Sequence, residues 1–392
     1  MGHFQKILTK KNMQIKNSMK ETRKRRSSML CKVFECKVVS NKLNQKQKEQ
    51  INQYFREAKW MRNYCVADVN DNARRNAHAV EIKVGDHFET RELQVLGSQV
   101  RQDIFDGVKA NLKTLSSLKE KGRKVGALTF KSYCNSIPLR QFGTTYRIDG
   151  NYIKVQNITK PLYVRGMKQI PDNAEFANAK LVRKPSGLYF HITCYVPKTD
   201  DHHRTAGDIG IDFGIEHNLT LSNGDTFDIQ VPEDKNIKRL SKKMNRAFHR
   251  NGEKKTKNHY KRVNALRRAY ERNTNKRQDV ANKVCHTLLY DYDFIGIQDE
   301  MIHNWHAGLF GKQVQYSAMG AIKARLKNSP KVFMVKRSFP STQMCPVCGR
   351  LTKHPLKKRS YDCPYCGYHH ISRDQKSAQS ILDYARRRAL QS

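Results

Sequence analysis

The sequence lacks a long apolar segment, since no run of 18 apolar residues occurs in its 392 positions. A helix that crosses a bilayer needs about 20 such residues, so we expect no membrane span. The N-terminus has no apolar signal core, and Lys6 stands where a myristoylation signal requires Ser or Thr. Acidic residues are also scarce, because 35 Asp and Glu face 75 Lys and Arg and leave a net charge of +40. This excess is not needed by an ordinary soluble enzyme and favours a nucleic-acid partner, bound with strong salt dependence.

The cysteines argue against a small secreted protein that is held together by disulfides. Of the ten, six are scattered along the chain, which does not resemble the disulfide framework of a small secreted domain. The other four form two CxxC pairs, Cys345 with Cys348 and Cys363 with Cys366, separated by 14 residues. This spacing predicts a closed, structural zinc site without a position for catalytic water. His354, His369 and His370 are alternative ligands, but four cysteines suffice. The cysteine usage predicts an intracellular, cytoplasmic protein.

The first half of the chain begins with a basic segment and continues with strand, helix and again strand patterns. Residues 1–29 are basic and poor in apolar side chains, which predicts a flexible arm. Residues 30–39 predict a strand, and residues 43–122 predict helices whose apolar stripes we interpret as core. Short strands then fill residues 125–200, beginning at 127–130, and predict a small β-barrel. We expect the 30–39 strand to complete this barrel, with the helices as an insertion.

The second half predicts a further α/β unit. Segments in which apolar and polar residues alternate flank Asn223 and Gly224, which is a strong signal for a β-hairpin. Residues 235–277 then carry 17 Lys and Arg against two Glu. Their apolar stripes predict a helical hairpin over residues 235–290, with cationic outer faces that contact nucleic acid. The candidate nucleic-acid residues on it are Lys242, Lys243, Lys254, Lys255, Arg267 and Arg268.

Acidic residues occur at chemically informative positions in this half. Asp212 lies in Gly-Ile-Asp-Phe-Gly, where glycines share its strand face and leave room for metal and a phosphate backbone. Asp299 and Glu300 end the predicted strand 294–298 and point to opposite faces, so periodicity does not choose between them. Asp374 follows Ser372, which with Gln375 forms a predicted capping box, and it lies on the apolar stripe of the helix that begins there.

Three carboxylates brought together repel one another unless divalent cations bind between them. Two Mg²⁺ or Mn²⁺ ions held by such oxygens activate water and stabilise a leaving 3′-oxygen. The pattern therefore predicts metal-dependent phosphodiester hydrolysis. The order Asp, Glu, Asp at 212, 300 and 374 resembles the RuvC-type RNase H fold, whereas a cut-and-paste transposase usually shows Asp, Asp, Glu.

Four segments together resemble the TnpB family, the transposon-encoded RNA-guided DNA nucleases related to type V CRISPR effectors. They are Gly-Ile-Asp212-Phe-Gly, Gln-Asp-Glu300-Met-Ile, Ser-Thr-Gln343-Met-Cys-Pro-Val-Cys-Gly and Ser-Arg-Asp374-Gln-Lys-Ser-Ala. By motif position, the family's catalytic acids correspond to Asp212, Glu300 and Asp374. Many members have Glu-Asp-Leu or Glu-Asn-Leu at the second acid, where this chain has Glu300-Met-Ile.

The resemblance implies an α/β multidomain fold. Its expected parts are the arm at 1–29, a wedge β-barrel at 30–42 and 125–200, a helical recognition domain at 43–124 and a RuvC nuclease domain at 201–392 with the zinc ribbon at 341–370.

The resemblance also implies function. It implies a guide and scaffold RNA, a double-stranded DNA target with a short flanking motif, and one RuvC site using Mg²⁺ or Mn²⁺ beside structural Zn²⁺. The expected protein acts as a monomer per RNA near the nucleoid of a prokaryotic cell. The alternatives are an RNA-guided repressor that binds without cutting, and an unguided nuclease or transposase.

Overall fold

The structure is a computed structural model that describes residues 17–198, 206–215, 219–252, 254–355, 358–370 and 372–391. The chain divides into two compact units, Met1–Thr199 and Asp200–Ser392. Within the described ranges, every helix is too short or too polar to cross a lipid bilayer.

The first unit is built on a seven-stranded antiparallel sheet with the order β4-β8-β9-β1-β7-β6-β5. Its strands are β1 (Met29–Val38), β4 (Ser136–Leu139), β5 (Tyr146–Asp149), β6 (Tyr152–Val155), β7 (Leu162–Arg165), β8 (Glu175–Lys184) and β9 (Gly187–Pro197). β1 pairs with β9 along most of its length and with β7 at its end. The segment before the helices and the segment after them therefore belong to one sheet.

The sheet curls into a nearly closed barrel. The hydroxyl of Tyr146, on the last strand, donates to the carbonyl of Ala177 on β8 at 3.1 Å. Just before β5, Phe142 stacks on Phe176 of β8 with 5.0 Å between ring centroids. These contacts bring the two ends of the sheet together and reduce the exposed edge.

Between β1 and β4 the chain forms two long helices and a hairpin. They are α2 (Gln45–Ala67), β2 (Ala79–Val84), β3 (His87–Glu92) and α3 (Ser98–Glu120). The predicted apolar stripe of α2 is buried, and its residues join the barrel interior in one core. The stripe is therefore core, as we interpreted it, and the helices are an insertion between strands of the barrel.

Two expectations for this unit are wrong. Residues 127–130 form no strand, and the helical region contains the β2–β3 hairpin, which we did not predict. The hairpin has a two-residue connection, Gly85-Asp86, with Val84 paired to His87 and Gly85 at φ +62. Because a Gly-Asp pair between alternating runs is a hairpin signal, the sequence did contain the information.

Part of the predicted arm is ordered. Residues 17–27 form a helix, α1, while residues 1–16 of the arm lie outside the described residues. Arg25 and Arg26 each contact a different carboxylate oxygen of Glu175 at the start of β8, at 3.0 and 2.8 Å. Arg26 also lies over the Tyr195 ring at 4.5 Å. These contacts attach the basic helix to the barrel.

The second unit has a five-stranded sheet with the order β12-β11-β10-β13-β14. Its strands are β10 (Asp208–Asp212), β11 (Leu219–Leu221), β12 (Thr226–Phe227), β13 (Phe294–Gln298) and β14 (Val332–Val335). β10, β13 and β14 are parallel, while β11 and β12 run antiparallel to their neighbours. The predicted hairpin at Asn223-Gly224 is confirmed as the β11–β12 connection.

The helices of this unit are α4 (Lys235–Arg250), α5 (Lys257–Asp291), α6 (Gly311–Tyr316), α7 (Met319–Leu326) and α8 (Arg373–Ala389). α4 and α5 pack as the predicted hairpin between β12 and β13. The C-terminal part of α5 and α7 join the sheet in one apolar core. Between β14 and α8 lie the four cysteines and a small antiparallel pair, β15 (Tyr361–Asp362) with β16 (His369–His370).

Candidate active site and metal centre

Asp212 lies at the end of the central strand of the second unit. Its strand β10 has β11 on one side and β13 on the other, and residues Ile209 to Ile211 are buried. Asp212, the last residue of the strand, is partly exposed. A central strand with two partners holds its terminal side chain in a defined position.

The space beside Asp212 on the face of β10 is filled by α8, which corrects our expectation for Gly210. A Cβ atom at Gly210 would lie only 2.0 Å from the carbonyl oxygen of Ala378 and 2.9 Å from the Cβ of Leu382. Gly296 on β13 has a similar neighbour, because a Cβ there would lie 3.0 Å from that of Ala385. These glycines therefore admit a helix backbone and not a phosphate backbone, and they let α8 approach the sheet closely.

Asp374 is carried to the sheet by the first turn of α8. The Ser372 hydroxyl caps the helix by accepting from the Gln375 backbone N–H at 3.2 Å. The second half of the predicted capping box is not observed, since the Gln375 side chain donates to the Ser222 carbonyl at 3.4 Å. The Asp374 side chain is 16% exposed, and Arg359 Nη1 lies 3.8 Å from its Oδ2. The acid is thus largely enclosed, with one cation nearby.

The two acids that follow β13 differ in their surroundings. The Asp299 carboxylate accepts from Lys323 Nζ at 2.6 Å, and this bond, opposed by burial, holds its pKa below the usual range. Burial raises the pKa of Glu300, although Lys323 and Arg337 oppose the rise. Glu300 also contributes to the electrostatics of Asp212, as described next. Asp299 is thus paired with Lys323, whereas Glu300 is partly buried and lies near both cations and Asp299.

The acids influence one another strongly. Burial and then the negative charges of Asp374 and Glu300 raise the pKa of Asp212 to about 8, against the lowering effect of Lys376 and Arg373. Like charges enclosed together favour the protonated form of one of them, and a divalent cation removes that penalty. Three carboxylates supply the hard oxygen ligands that suit Mg²⁺ or Mn²⁺. The arrangement is chemically suited to hold such cations.

The acids are less tightly grouped than the cysteines. Among the described residues, one set of three or more His, Cys, Asp or Glu has all its ligand atoms within 4.8 Å of one another, and it is Cys345, Cys348, Cys363 and Cys366. Asp212, Glu300 and Asp374 interact electrostatically but do not meet that distance.

The four cysteines have the geometry of a metal centre. The Sγ atoms of Cys345 and Cys366 are 3.6 Å apart, and those of Cys348 and Cys363 are 3.5 Å apart. A tetrahedron with Zn–S distances of about 2.3 Å needs a sulfur separation of about 3.8 Å, whereas a disulfide needs about 2.05 Å. The predicted cluster is confirmed as a set of ligands able to bind zinc.

Local backbone geometry supports thiolate ligands. Gly349 and Gly367, which follow the knuckles, both have φ +70, a conformation that glycine adopts without strain. Burial opposes ionisation of the Cys363 thiol, but backbone hydrogen bonds from Tyr365 and Cys366 lead the effects that lower its pKa. The neighbouring thiols raise the pKa of Cys366, so without a metal the thiols do not all ionise together.

The three candidate histidines make other contacts. His354 packs edge-on against Tyr361 with 4.8 Å between ring centroids. His369 Nδ1 pairs with Asp362, and His370 Nδ1 accepts from the Ser372 backbone N–H at 3.1 Å. These contacts leave four cysteines as the simplest ligand set.

One residue of this region was missed by our reading of the sequence. Lys376, in the first turns of α8, has no exposed surface, and its Nζ donates to the carbonyls of Ser341 and Met344 at 2.8 and 3.0 Å. Burial lowers its pKa to about 8 despite the opposing charges of Cys345 and Asp212. In a chain with 75 Lys and Arg, the sequence gives no signal that distinguishes this lysine from those on the surface.

The six candidate nucleic-acid residues all lie on the α4–α5 hairpin or its connection, and all are exposed. Lys242 and Lys243 are on α4, Lys254 and Lys255 are in the connection, and Arg267 and Arg268 are on α5. The hairpin therefore presents a dense positive surface, which is the footprint of a phosphate-binding element.

Comparison with known proteins gives consistent results for both halves of the second unit. The OrfB_IS605 model, described as a probable transposase, matches residues 191–304, and the TNB domain model of Cas12f1-like proteins matches residues 318–381. The chain is 28% identical over 234 residues to a "Putative RNA-guided DNA endonuclease" of Streptomyces pristinaespiralis. This match covers 57% of the chain and 56% of that relative, so the chain aligns with about half the relative's length.

The fold also resembles a solved structure. The Cas12f1 chain in a complex with sgRNA and target DNA superposes with a TM-score of 0.51 and 12% identity, covering 91% of this chain and 99% of that one.

The second unit is therefore similar to a probable transposase and to the TNB domain of Cas12f1-like proteins, and the fold resembles that of Cas12f1. These matches agree with the resemblance to the TnpB family that the sequence motifs indicated.

Proposed function

We propose that this chain is an RNA-guided DNA endonuclease that hydrolyses phosphodiester bonds with divalent cations at a single RuvC-type site. The observation that carries the proposal is the placement of three acids: Asp212 ends β10, Glu300 follows the parallel strand β13, and Asp374 lies in the first turn of α8. Burial and the charges of Asp374 and Glu300, which raise the pKa of Asp212, support it. These acids come from three separate segments of the chain. Their convergence at one end of a sheet is typical of a metal-dependent nuclease site.

The strand order supports the RuvC-type assignment. Two parallel strands beside the central β10 and an antiparallel hairpin on its other side form the β12-β11-β10-β13-β14 sheet. In this arrangement Asp212 ends the central strand, Glu300 follows the neighbouring parallel strand and Asp374 opens the helix that covers both. We accordingly assign residues 201–392 to the nuclease domain, 30–42 and 125–200 to the wedge barrel, and 43–124 to the recognition domain.

In this proposal Asp212, Glu300 and Asp374 hold Mg²⁺ or Mn²⁺ through carboxylate oxygens. The bound cations would activate water and stabilise the leaving 3′-oxygen. A bound cation would favour the ionised form of Asp212, whose pKa is otherwise raised to about 8 by burial and by the neighbouring acids. The four cysteines hold structural zinc, and the closed ligand set assigns it no catalytic step.

The proposed partners are a guide RNA and a double-stranded DNA target with a short flanking motif. The name of the Streptomyces relative and the RNA and DNA in the Cas12f1 complex support them. The net charge of +40 and the exposed cations of the α4–α5 hairpin supply the phosphate contacts.

The test uses the complex of the full chain with its co-purifying RNA. Asp212→Ala and Glu300→Gln should each reduce Mg²⁺-dependent cleavage of matched DNA by at least about 100-fold, because even outer-shell changes at metal sites cause 10- to 100-fold losses. Asp299→Asn is the matched control and should retain cleavage, since Asp299 pairs with Lys323. Undiminished cutting by Asp212→Ala would refute the metal site.

Sequencing the bound RNA tests guidance. A shared scaffold followed by one variable segment is expected, whereas heterogeneous fragments would favour an unguided nuclease. Guided binding without any cutting by the unmodified chain would favour a repressor.

A further inference from the structure

A buried lysine links the metal-binding knuckles to the helix that carries Asp374. Lys376 is fully buried, and its ammonium group donates to the carbonyls of Ser341 and Met344 at 2.8 and 3.0 Å. The same group lies 3.9 Å from the ring centre of Tyr361. A buried ammonium without such partners is strongly unfavourable, so these contacts fix the side chain in one place.

The partners of Lys376 precede the two knuckles. Ser341 and Met344 belong to residues 337–344, here called the ribbon stem, which lead directly into Cys345. Tyr361 lies two residues before Cys363 and is fully buried, and its hydroxyl donates to the carbonyl of Gln343 at 3.2 Å. Lys376 thus contacts the approach to both cysteine pairs.

The ribbon stem is also bonded from the opposite side by Gln298. This last residue of β13 is 4% exposed, and its Oε1 accepts from the Ser341 hydroxyl at 2.9 Å. Its Nε2 donates to the carbonyls of Phe339 and Arg337 at 2.7 and 3.0 Å. Glu300 follows Gln298 by two residues, so the stem is tied to the strand that leads to the second acid.

Ser341 is bonded by both residues, through its carbonyl to Lys376 and through its hydroxyl to Gln298. One short segment therefore joins α8, which begins beside Asp374, to the end of β13, which precedes Glu300. Zinc binding by the cysteines would fix the far end of the same segment.

We infer that Lys376 and Gln298 are positioning residues. Their hydrogen bonds hold α8 and β13 to the ribbon stem, so that the stem sets the spacing of Asp374 and Glu300. The inference rests on the proposed function, because it assumes that these acids bind divalent cations. The ligand oxygens of the three acids do not all lie within 4.8 Å of one another, so we expect cation affinity to depend on the positions of α8 and β13. Removing the bonds to the stem should weaken cation binding without removing zinc.

The experiment measures Mn²⁺ binding to the zinc-loaded full chain, freed of RNA, by electron paramagnetic resonance of unbound Mn²⁺. Lys376→Met removes both donated hydrogen bonds and keeps a side chain of similar length. It should retain zinc and raise the Mn²⁺ dissociation constant at least about tenfold, the lower range for outer-shell changes at metal sites. Ser377→Ala is the matched control, because Ser377 is equally buried on α8 and its hydroxyl donates to the carbonyl of Arg373 in its own helix. It should bind Mn²⁺ as the unmodified chain does.

A second variant, Gln298→Met, loosens the stem from β13 and should have the same effect. If Lys376→Met loses zinc or does not fold, the zinc content and Mn²⁺ affinity of Gln298→Met test the inference instead. Unchanged Mn²⁺ affinity in a zinc-loaded variant, or zinc loss in both variants, would overturn the inference, since the residues would then only stabilise the ribbon. Asp374→Asn distinguishes failure of this inference from failure of the proposed function. Mn²⁺ binding unaffected by that change would refute the proposed cation site itself.

Discussion

Replacing Asp212 by asparagine should remove a loss of stability that the magnesium-free protein undergoes as the pH rises. The pKa of Asp212 is about 8 in the folded protein, compared with the ordinary value of 3.8 for an aspartate. Between these values the folded protein holds a proton that the unfolded chain has released. The free energy of unfolding therefore falls with increasing pH over this interval, and it is unaffected by Asp212 below about pH 4.

The size of the effect follows from proton linkage. One proton contributes at most about 1.4 kcal/mol per pH unit, so raising the pH from 5 to 7 should remove up to about 3 kcal/mol from the unmodified protein. Asp212→Asn has no proton to lose and should avoid this loss. For a unit of roughly 190 residues, the difference corresponds to a Tm gap of at most about 10 °C at pH 7.

Calorimetry in magnesium-free buffer at pH 5, 6, 7 and 8 would measure this gap, with zinc retained in both proteins. The Tm gap should be smallest at pH 5 and widen towards pH 8, and added Mg²⁺ should raise the Tm of the unmodified protein more than that of the variant. Asp279→Asn is a suitable control, because Asp279 is an exposed acid paired with Lys283 on α5. A Tm gap that is the same at every pH would refute the crowding of the acids.

Three further predictions concern zinc, packing and charge. Cys345→Ser should lose zinc and lower the Tm of the second unit, as metal analysis and calorimetry would show, while Cys31→Ser should do neither. Gly210→Ala should destabilise the protein by about 1–3 kcal/mol or more in denaturant unfolding, because its Cβ meets the backbone of α8, whereas Gly107→Ala in open space on α3 should not. Changing four lysines to glutamine should reduce the slope of log K against log salt by about 3, while arginine at the same positions should preserve it. An unchanged slope would exclude phosphate contacts by this set, Lys242, Lys243, Lys254 and Lys255.

The sequence predicted most accurately where a residue pattern has one geometric solution. Two CxxC pairs at ribbon spacing require their thiols to meet, and the structure brings all four within 4.8 Å. Strands with clear alternation and an Asn-Gly turn were found for the same reason. The positions of Asp212, Glu300 and Asp374 as a functional set remain a prediction, supported by the electrostatics of Asp212.

Other features depend on contacts between distant segments. Gly210 predicted an open face, but a glycine also permits close approach of a helix, and local sequence does not separate these outcomes. Residues 127–130 have strand-like composition without a strand, since β-propensity reflects the neighbours that a segment finds. Lys376 is polar in sequence and buried in the fold because carbonyls from the ribbon stem surround it. Such partners become visible only when the chain is folded.

The α4–α5 hairpin offers a place at which the chain can be divided or extended. Its connection at residues 251–255 lies at one end of α5, a helix of 35 residues that spans about 50 Å before it reaches β13. Exposed turns remote from a core tolerate added domains and chain breaks well. A ligand-responsive domain inserted at this connection would place an external switch on the protein without altering β10, β13 or α8, which position its acids.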